Sequence, residues 1–138
     1  MKLLIFLAES FEYQASEAGS PLAAERPEPA ADRVENAIVA FLQCEPRDEE
    51  RGEAVLKQAV KYFRWLQRKR GLSRLVLHSF AHLAEERSGP EFARDLLAAL
   101  GDRLEEHGFD IHHTPFGWSL KWSMSVEGHG YAKTFKSL

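Results

Sequence analysis

Most of the residues that could carry out chemistry lie in two short turns. The first turn is His78-Ser79-Phe80-Ala81-His82, and the second is the run His113–Trp118. In the second turn Pro115 fixes its own φ and favours an extended residue before it. Gly117 permits a positive φ or a close approach by a ligand. Because aromatic residues flank that glycine, we expect the two turns to form opposite walls of one ligand pocket.

Neither a metal site nor a covalent nucleophile is predicted from the spacing of these residues. His78 and His82 lie four positions apart but straddle a strand end, and the chain has one cysteine, Cys44, without any HExxH or CxxC pattern. Ser79 has no evident acid partner and no Gly-x-Ser-x-Gly context. We therefore predict no metal and no cofactor. His82 is either a polar pocket residue or a histidine packed on an aromatic neighbour.

A basic stretch runs from Ala54 to Ala84, with seven cationic residues and no acidic one. Four of the cations have helical spacing and share one face of the first predicted helix: Lys57, Lys61, Arg64 and Arg68. This pattern is typical of an RNA-binding face and also of a solvated helix face. The net charge of −3 argues against a general nucleic-acid coat, but not against a local basic surface.

Hydrophobic periodicity predicts a single α/β domain over residues 1–138, with a mixed β-sheet and two main helices packed on one face. An exposed loop is expected at residues 17–32, and the last two strands are expected to pair as a hairpin. The predicted helices are Glu49–Lys69 and Glu91–His107. The predicted strands are Lys2–Ala8, Glu9–Gln14, Val34–Cys44, Leu72–Leu77, Phe109–His113, Ser119–Val126 and Tyr131–Leu138.

Composition and cysteine content indicate a cytoplasmic protein without a membrane segment. The chain is 44% hydrophobic and 28% charged, which is ordinary for a globular domain. A single cysteine rules out an internal disulfide and fits a reducing compartment. No apolar run approaches the ~20 residues that a membrane helix needs. The short apolar start is predicted to be a first strand, since acidic residues follow it at once.

The two turns, taken together, resemble a known family. The resemblance is carried by Glu9 after the first strand and by four motifs: Phe80-Ala81-His82-Leu83, Pro90 before a helix, Pro115-Phe116-Gly117-Trp118 and Gly128-His129. In this order and over nearly the whole chain, the pattern is similar to the archaeal-type N-terminal editing domain of threonyl-tRNA synthetase. That domain is a relative of the D-aminoacyl-tRNA deacylases, and the resemblance implies their fold.

The resemblance also implies a function. The family hydrolyses mischarged tRNA for threonine, mainly seryl-tRNA, by a positioned water that a hydroxyl of the substrate's own ribose assists. It implies that tRNA is a partner and that the protein is a homodimer. It also implies that the protein either associates with threonyl-tRNA synthetase or is free-standing. His82 and Lys121 would be catalytic residues. The substrate-binding residues would be Glu9, Cys44, Ser79, Phe80, Ala81, Ala93, Pro115, Phe116, Gly117 and Trp118.

Two positions depart from the family pattern. Where the family has a lysine three residues after the glycine of Pro-Phe-Gly, this chain has Leu120, and Lys121 follows one position later. In a strand, a shift of one residue turns the side chain to the other face. Lys133 stands where the family has an acid. These departures keep a second hypothesis open, namely a non-catalytic RNA- or nucleotide-binding module or a dimerising regulatory module on the same fold.

Overall fold

The computed structural model describes residues 1–138 and contains one six-stranded sheet with two helices. Short 3-10 turns precede the first helix and the last strand. The predicted helices are confirmed to within three residues at either end. In chain order the elements are β1 Lys2–Ala18, β2 Ala31–Gln43, α1 Gly52–Arg70, β3 Arg74–Ser79, α2 Pro90–Glu105, β4 Asp110–His113, β5 Trp118–Val126 and β6 Lys133–Ser137.

The sheet is mixed, as predicted. Its strand order is β4-β3-β2-β1, and both β5 and β6 pair with the remaining edge of β1. Strands β2, β3 and β4 are parallel and are connected through α1 and α2, whereas β1 is antiparallel to its neighbours. The predicted terminal hairpin is wrong. Strand β6 pairs along Lys2–Phe6 and β5 along Ala8–Ala18, so the two run in the same direction, end to end.

Strand β1 is one long strand, so the prediction of a separate strand at Glu9–Gln14 is wrong. The ladder with β2 skips Glu9, and Asn36 opposite it has a φ of 51°. The ladder with β5 shifts its register between Ala8 and Ser10, whereas the ladder with β2 keeps its register across this position. Glu9 is therefore an extra residue in the strand, and such a bulge bends it and increases its twist. The bulge explains why alternation of buried residues changes phase at this point.

One face of the sheet packs against both helices. Helix α1 follows from apolar residues at helical spacing and ends at Gly71, whose φ of 69° is the left-handed conformation typical of a helix end. The buried side chains on this face are mostly aliphatic. They include Leu3, Ile5 and Leu7 of β1, Ile38, Ala40 and Leu42 of β2, Val55, Ala59, Phe63 and Leu66 of α1, and Leu96, Leu97, Leu100 and Leu104 of α2.

The opposite face is aromatic, and no helix covers it. Phe41 pairs with Leu4 in the ladder, and Phe11 lies seven residues further along β1. In a flat sheet the two would be about 23 Å apart, yet their rings are 6.3 Å apart. The Phe41 ring also lies 5.3 Å from the ring of Trp122 in β5. The distal half of β1 therefore curls over this face and covers it with the sheet's own residues.

The loop between β1 and β2 is shorter and less free than predicted. It spans residues 19–30, because the strands extend to Ala18 and begin again at Ala31. The indole Nε1 of Trp118 donates a hydrogen bond to the carbonyl oxygen of Ala24 at 3.1 Å. The amide of Gly19 donates to the carbonyl of Gly117 at 2.7 Å. The loop is therefore docked on the turn that precedes β5. Neither helix has the length and apolar character needed to span a membrane.

Candidate functional site

A cavity of about 340 Å³ lies at the carboxyl ends of β2 and β3, where open α/β sheets commonly bind ligands. The first turn of α2 forms part of its wall, and the curl of the sheet brings the start of β5 and the loop after β1 over it. The lining residues come from five segments: Gly19, Ser20 and Pro21; Leu42, Gln43 and Cys44; Ser79, Phe80, Ala81 and His82; Arg87, Ser88, Pro90 and Ala93; and Phe116, Gly117, Trp118 and Ser119.

Gly117 makes the closest approach between the two covering segments. Its φ is 78°, a conformation that side chains with a Cβ rarely adopt. A Cβ at this position would lie 3.0 Å from the Cβ of Ser20 and 3.1 Å from the backbone nitrogen of Ala23. The glycine is therefore required both by backbone conformation and by space. It lets the loop and the turn meet as one edge of the cavity.

His78 lies in β3 next to the cavity and does not line it. Its Nδ1 lies 2.8 Å from the hydroxyl of Thr114, and its ring packs edge-on against Phe41 at 4.8 Å. Burial lowers the pKa of His78 to about 4, so the imidazole is neutral at pH 7. The amide of Thr114 also donates to the carbonyl of Leu77 at 3.2 Å. These contacts fix the second turn to the end of β3.

Gln43 holds the loop that carries His82. Its side chain is buried, and its Oε1 accepts hydrogen bonds from the amides of Leu83 and Ala84. Its Nε2 donates to the carbonyls of Ala84 and Glu86 at 3.2 and 3.0 Å. The amide group thus satisfies loop backbone that would otherwise lack partners. Sequence reasoning missed this residue, although a lone amide in the apolar run of β2 was the available signal.

The structure brings together nine of the twelve residues predicted for catalysis and substrate binding. Glu9, Pro115 and Lys121 do not line the cavity. Glu9 is the bulge residue and accepts a hydrogen bond from the hydroxyl of Ser125 at 3.4 Å, and Pro115 is buried behind the turn. The nine that line the cavity are Cys44, Ser79, Phe80, Ala81, His82, Ala93, Phe116, Gly117 and Trp118.

Lys121 is exposed on β5, opposite Gln14 of β1. The register irregularity in this region falls between Ala15 and Glu17 on β1, so β5 itself keeps its alternation. Leu120 therefore packs against the aromatic face, and its neighbour Lys121 points the other way. Lys121 is not among the residues that line the cavity.

The lining contains no acidic residue and one permanently charged residue, Arg87. Arg87 forms no ion pair and no hydrogen bond within the chain. Burial raises the pKa of the Cys44 thiol to about 12, with a further contribution from Asp48, so this thiol is protonated and not nucleophilic. His82 is exposed, with its ring 5.1 Å from that of Phe80, and has no hydrogen-bond partner. The cavity thus offers hydroxyls, backbone groups, an imidazole and a cation, without a nucleophile–base pair.

The four cations predicted to bind RNA line a second depression, of about 310 Å³, between α1 and α2. We call it the basic cleft. Its lining residues are Lys57, Val60, Lys61, Arg64 and Arg68 of α1, Arg103 of α2 and His107 just after α2. The sequence pattern identified the α1 side, whereas the contribution of Arg103 and His107 depends on how the two helices pack.

Comparison with known proteins identifies the class of fold and then the family. The structure superposes on the c-Myc DNA Unwinding Element Binding Protein with a TM-score of 0.65 over 100% of this chain and 99% of that chain, at 10% identity. The fold is D-aminoacyl-tRNA deacylase-like, as predicted. The sequence profile described as the archaea-specific editing domain of threonyl-tRNA synthetase matches residues 1–138, and the chain belongs to that family.

Its curated relatives are longer proteins. The chain is 31% identical over 138 residues to a threonine–tRNA ligase of Methanoregula boonei, and 30% identical over 138 residues to one of Thermofilum pendens. Both matches include all of this chain and 22% of the relative. The chain thus spans about a fifth of the length of these relatives.

Proposed function

We propose that this protein hydrolyses the ester that joins a wrong amino acid to the 3′ end of tRNA, with seryl-tRNA for threonine as its substrate. The observation that carries the proposal is the cavity, in which the His82 turn and the Gly117 turn face each other in a chain of the editing-domain family. Its volume of about 340 Å³ is in the range of small-ligand sites. The terminal adenosine and its amino acid occupy it.

The cavity residues act by binding, orientation and hydrogen bonding. Phe80, Phe116 and Trp118 supply aromatic surface for the adenosine. Arg87 faces the terminal phosphodiester, which is the group of the substrate that best matches an unpaired guanidinium. His82 and the hydroxyls of the lining reach the serine side chain and distinguish it by hydrogen bonding. Backbone amides of the turns stabilise the oxyanion that develops on the ester carbonyl.

The reaction in this site is a hydrolysis by water. The oxygen of a positioned water attacks the ester carbonyl carbon, and the bond from that carbon to the ribose oxygen breaks. The ribose oxygen takes up one proton of the water, the second proton passes to solvent, and the amino acid leaves as a carboxylate. The free ribose hydroxyl orients the water and relays its proton. The mechanism suits a cavity that Lys121 does not line and in which the Cys44 thiol stays protonated.

The test is deacylation of purified tRNA for threonine that carries serine, compared with the same tRNA carrying threonine and with D-aminoacyl-tRNAs. We expect faster loss of serine than of threonine, and a further loss of rate when the terminal ribose lacks its free hydroxyl. The matched variants are His82→Ala in the cavity and His129→Ala, which lines neither the cavity nor the depression between the two helices. Serine release no faster than in buffer at high protein concentration would contradict the proposal.

A second candidate function is binding without catalysis. It is favoured by the apolar Leu120 at the family's lysine position and by Lys121 outside the cavity. A chain of this kind binds the aminoacylated 3′ end and releases it intact, as a regulatory or protective module. Tight binding of a non-hydrolysable seryl-adenosine analogue, together with no serine release from seryl-tRNA, would favour this candidate over the first.

We also propose that the protein forms a homodimer in the cytoplasm and acts on tRNA alongside threonyl-tRNA synthetase. Large aromatic side chains remain exposed on or beside the edge strand β6, namely Tyr131 and Phe135. An unpaired strand edge next to apolar surface is a common site of association. Light scattering coupled to size-exclusion chromatography distinguishes the dimer from a monomer, which would contradict this part of the proposal.

A further inference from the structure

The basic cleft is a concave surface whose charges converge. Lys61, Arg64 and Arg68 lie on one side of it, and Arg103 and His107 close the other. A solvated helix face would be convex, and its side chains would spread apart. In the cleft the packing of α2 beside α1 instead directs cations from two elements toward one space. The only apolar residue in its lining is Val60.

The charges of the cleft are only partly neutralised within the chain. Glu53 accepts two hydrogen bonds from Arg103, at 3.0 and 2.8 Å, and lies 3.5 Å from the ammonium of Lys57. Lys61, Arg64 and Arg68 form no ion pair. Holding like charges close together is unfavourable unless an anion enters between them. The unpaired side of the cleft is thus suited to a ligand with several negative charges.

The cleft and the cavity lie on the same helix, α2. Ala93 in its first turns lines the cavity, and Arg103 near its end lines the cleft. At ~1.5 Å per residue, the two positions are separated by about 15 Å along the helix axis. This separation corresponds to a few nucleotides of an extended RNA strand. A tRNA whose last nucleotide occupies the cavity could therefore reach the cleft with its acceptor end.

We propose that the basic cleft binds backbone phosphates of the tRNA whose 3′ end enters the cavity. The inference rests on the proposed function for the choice of tRNA. Guanidinium groups make paired hydrogen bonds to phosphate oxygens, and the cleft holds three of them. Its lining contains no Phe, Tyr or Trp for stacking on bases and no acidic group to read them. The contact is therefore to the backbone and is independent of base sequence.

The aromatic residues of α1 lie elsewhere and define the boundary of this site. Tyr62 and Trp65 stack on each other at 5.8 Å, and the ammonium of Lys136 from β6 lies over the Tyr62 ring. That side of the helix faces β6, whereas the cleft faces α2. Exposed cations that do not line the cleft supply a matched control, namely Arg26, Lys69 and Lys136.

The experiment compares two triple variants that change the net charge equally. One is Lys61→Glu, Arg64→Glu and Arg68→Glu in the cleft, and the other is Arg26→Glu, Lys69→Glu and Lys136→Glu outside it. The Kd for a transcript of tRNA for threonine without an attached amino acid is measured as a function of salt concentration. We expect the cleft variant to raise Kd at least about tenfold at low salt and to lower the salt slope by about 2 to 3, as three lost phosphate contacts predict. Circular dichroism and thermal unfolding verify that both variants fold.

A second arm separates the cleft from the cavity. The rate of deacylation is measured for each variant with two substrates, the seryl ester of the full tRNA and the seryl ester of the terminal trinucleotide CCA. We expect the cleft variant to raise KM for the full tRNA and to leave hydrolysis of the trinucleotide ester unchanged. The wild-type protein could bind tRNA in a way that the cleft variant weakens and yet hydrolyse neither ester. That result would contradict the proposed hydrolase activity and still support tRNA binding by the cleft. Equal effects of the two triple variants on tRNA binding, or no effect of either, would overturn the inference.

Discussion

The cavity and the basic cleft are built in opposite ways. The cavity is formed by five segments and lined mostly by uncharged residues, and its shape depends on the curl of the sheet and on one left-handed glycine. The cleft is formed by long flexible cations on two neighbouring helices. The cavity should therefore be sensitive to packing and insensitive to salt, and the cleft the reverse. The predictions below test this contrast, from the largest expected effect to the smallest.

Phe41→Ala should have the largest effect, because Phe41 joins the curled half of the sheet to the other half. Its ring contacts those of Phe6, Phe11, Phe80 and Trp122. Removing a buried phenyl group typically costs about 3–5 kcal/mol. We expect that loss in the free energy of unfolding, measured by urea denaturation, and a loss of ligand binding in the cavity.

The control for this change is Trp65→Ala, since Trp65 is 46% exposed on α1 and lies outside the surface proposed for the dimer. An exposed substitution of this kind usually changes stability by less than about 0.5 kcal/mol. Similar losses of stability in the two variants would mean that the curl does not depend on Phe41.

The sequence predicted the parts of the fold that follow from periodicity. Both helices and the parallel strands between them were predicted within a few residues, since their apolar residues recur with the period of the element. The curl could not be predicted. The strand bulges at Glu9, where the ladder with β5 shifts its register, and glutamate is not a residue type that marks a bulge. Because the curl was not predicted, the covering segment Gly19–Pro21 could not be predicted as part of the cavity lining.

The site was predictable to the extent that it lies in the two turns. His82 and Gly117 belong to motifs that a single sequence displays, so they could be named together. Gln43 and Arg87 were missed. Gln43 acts through loop backbone, and only its position as a lone amide in an apolar strand signalled a role, whereas Arg87 enters the cavity from an irregular segment. Arg103 joined the basic cleft for a similar reason, because it lies 35 positions beyond Arg68 and only helix packing brings them together.

Lowering the pH should weaken the support that His78 gives to the cavity. Burial lowers the pKa of His78 to about 4, below its ordinary value of 6.5. The unfolded chain therefore binds a proton at this residue at a higher pH than the folded chain. The stability that neutral His78 contributes is complete above pH 6.5 and is lost as the pH falls to about 4. The full difference is on the order of 3 kcal/mol.

The variant His78→Gln keeps a polar partner for Thr114 and removes the titration. Its free energy of unfolding should be lower at pH 7 and should vary less between pH 6.5 and pH 4 than that of the wild type. His107→Gln, which changes an exposed residue of the cleft, should leave the wild-type pH profile unchanged. An unaltered slope in the His78 variant would show that other groups cause the dependence.

Gly117→Ala should damage the cavity and spare the cleft. The added Cβ is strained by the φ of 78° and would lie 3.0 Å from the Cβ of Ser20. Such strain costs about 1–3 kcal/mol, and the covering loop must move to relieve it. We expect the rate of deacylation to fall at least tenfold, while the Kd for tRNA without an attached amino acid changes less than twofold. Gly128→Ala is the control, because a Cβ there meets nothing within 4 Å. Full activity in the Gly117 variant would mean that the cavity edge does not contribute to the reaction.

Arg87→Ala should have the smallest effect on activity. It tests whether the cavity, unlike the cleft, works largely without charge. Arg87 is the one permanent charge in a cavity that otherwise works through shape. If it contacts the terminal phosphodiester, its removal raises KM for both the full tRNA and the trinucleotide ester by a few fold and leaves kcat unchanged, because phosphate binding is the same in the ground state and the transition state. Arg87→Lys should recover part of the affinity, and Arg26→Ala, an exposed change in the loop after β1, should change nothing. The cleft variant raises KM for the full tRNA alone. A loss of kcat in Arg87→Ala would instead assign the guanidinium to the reacting ester, and the cavity would then depend on charge as the cleft does.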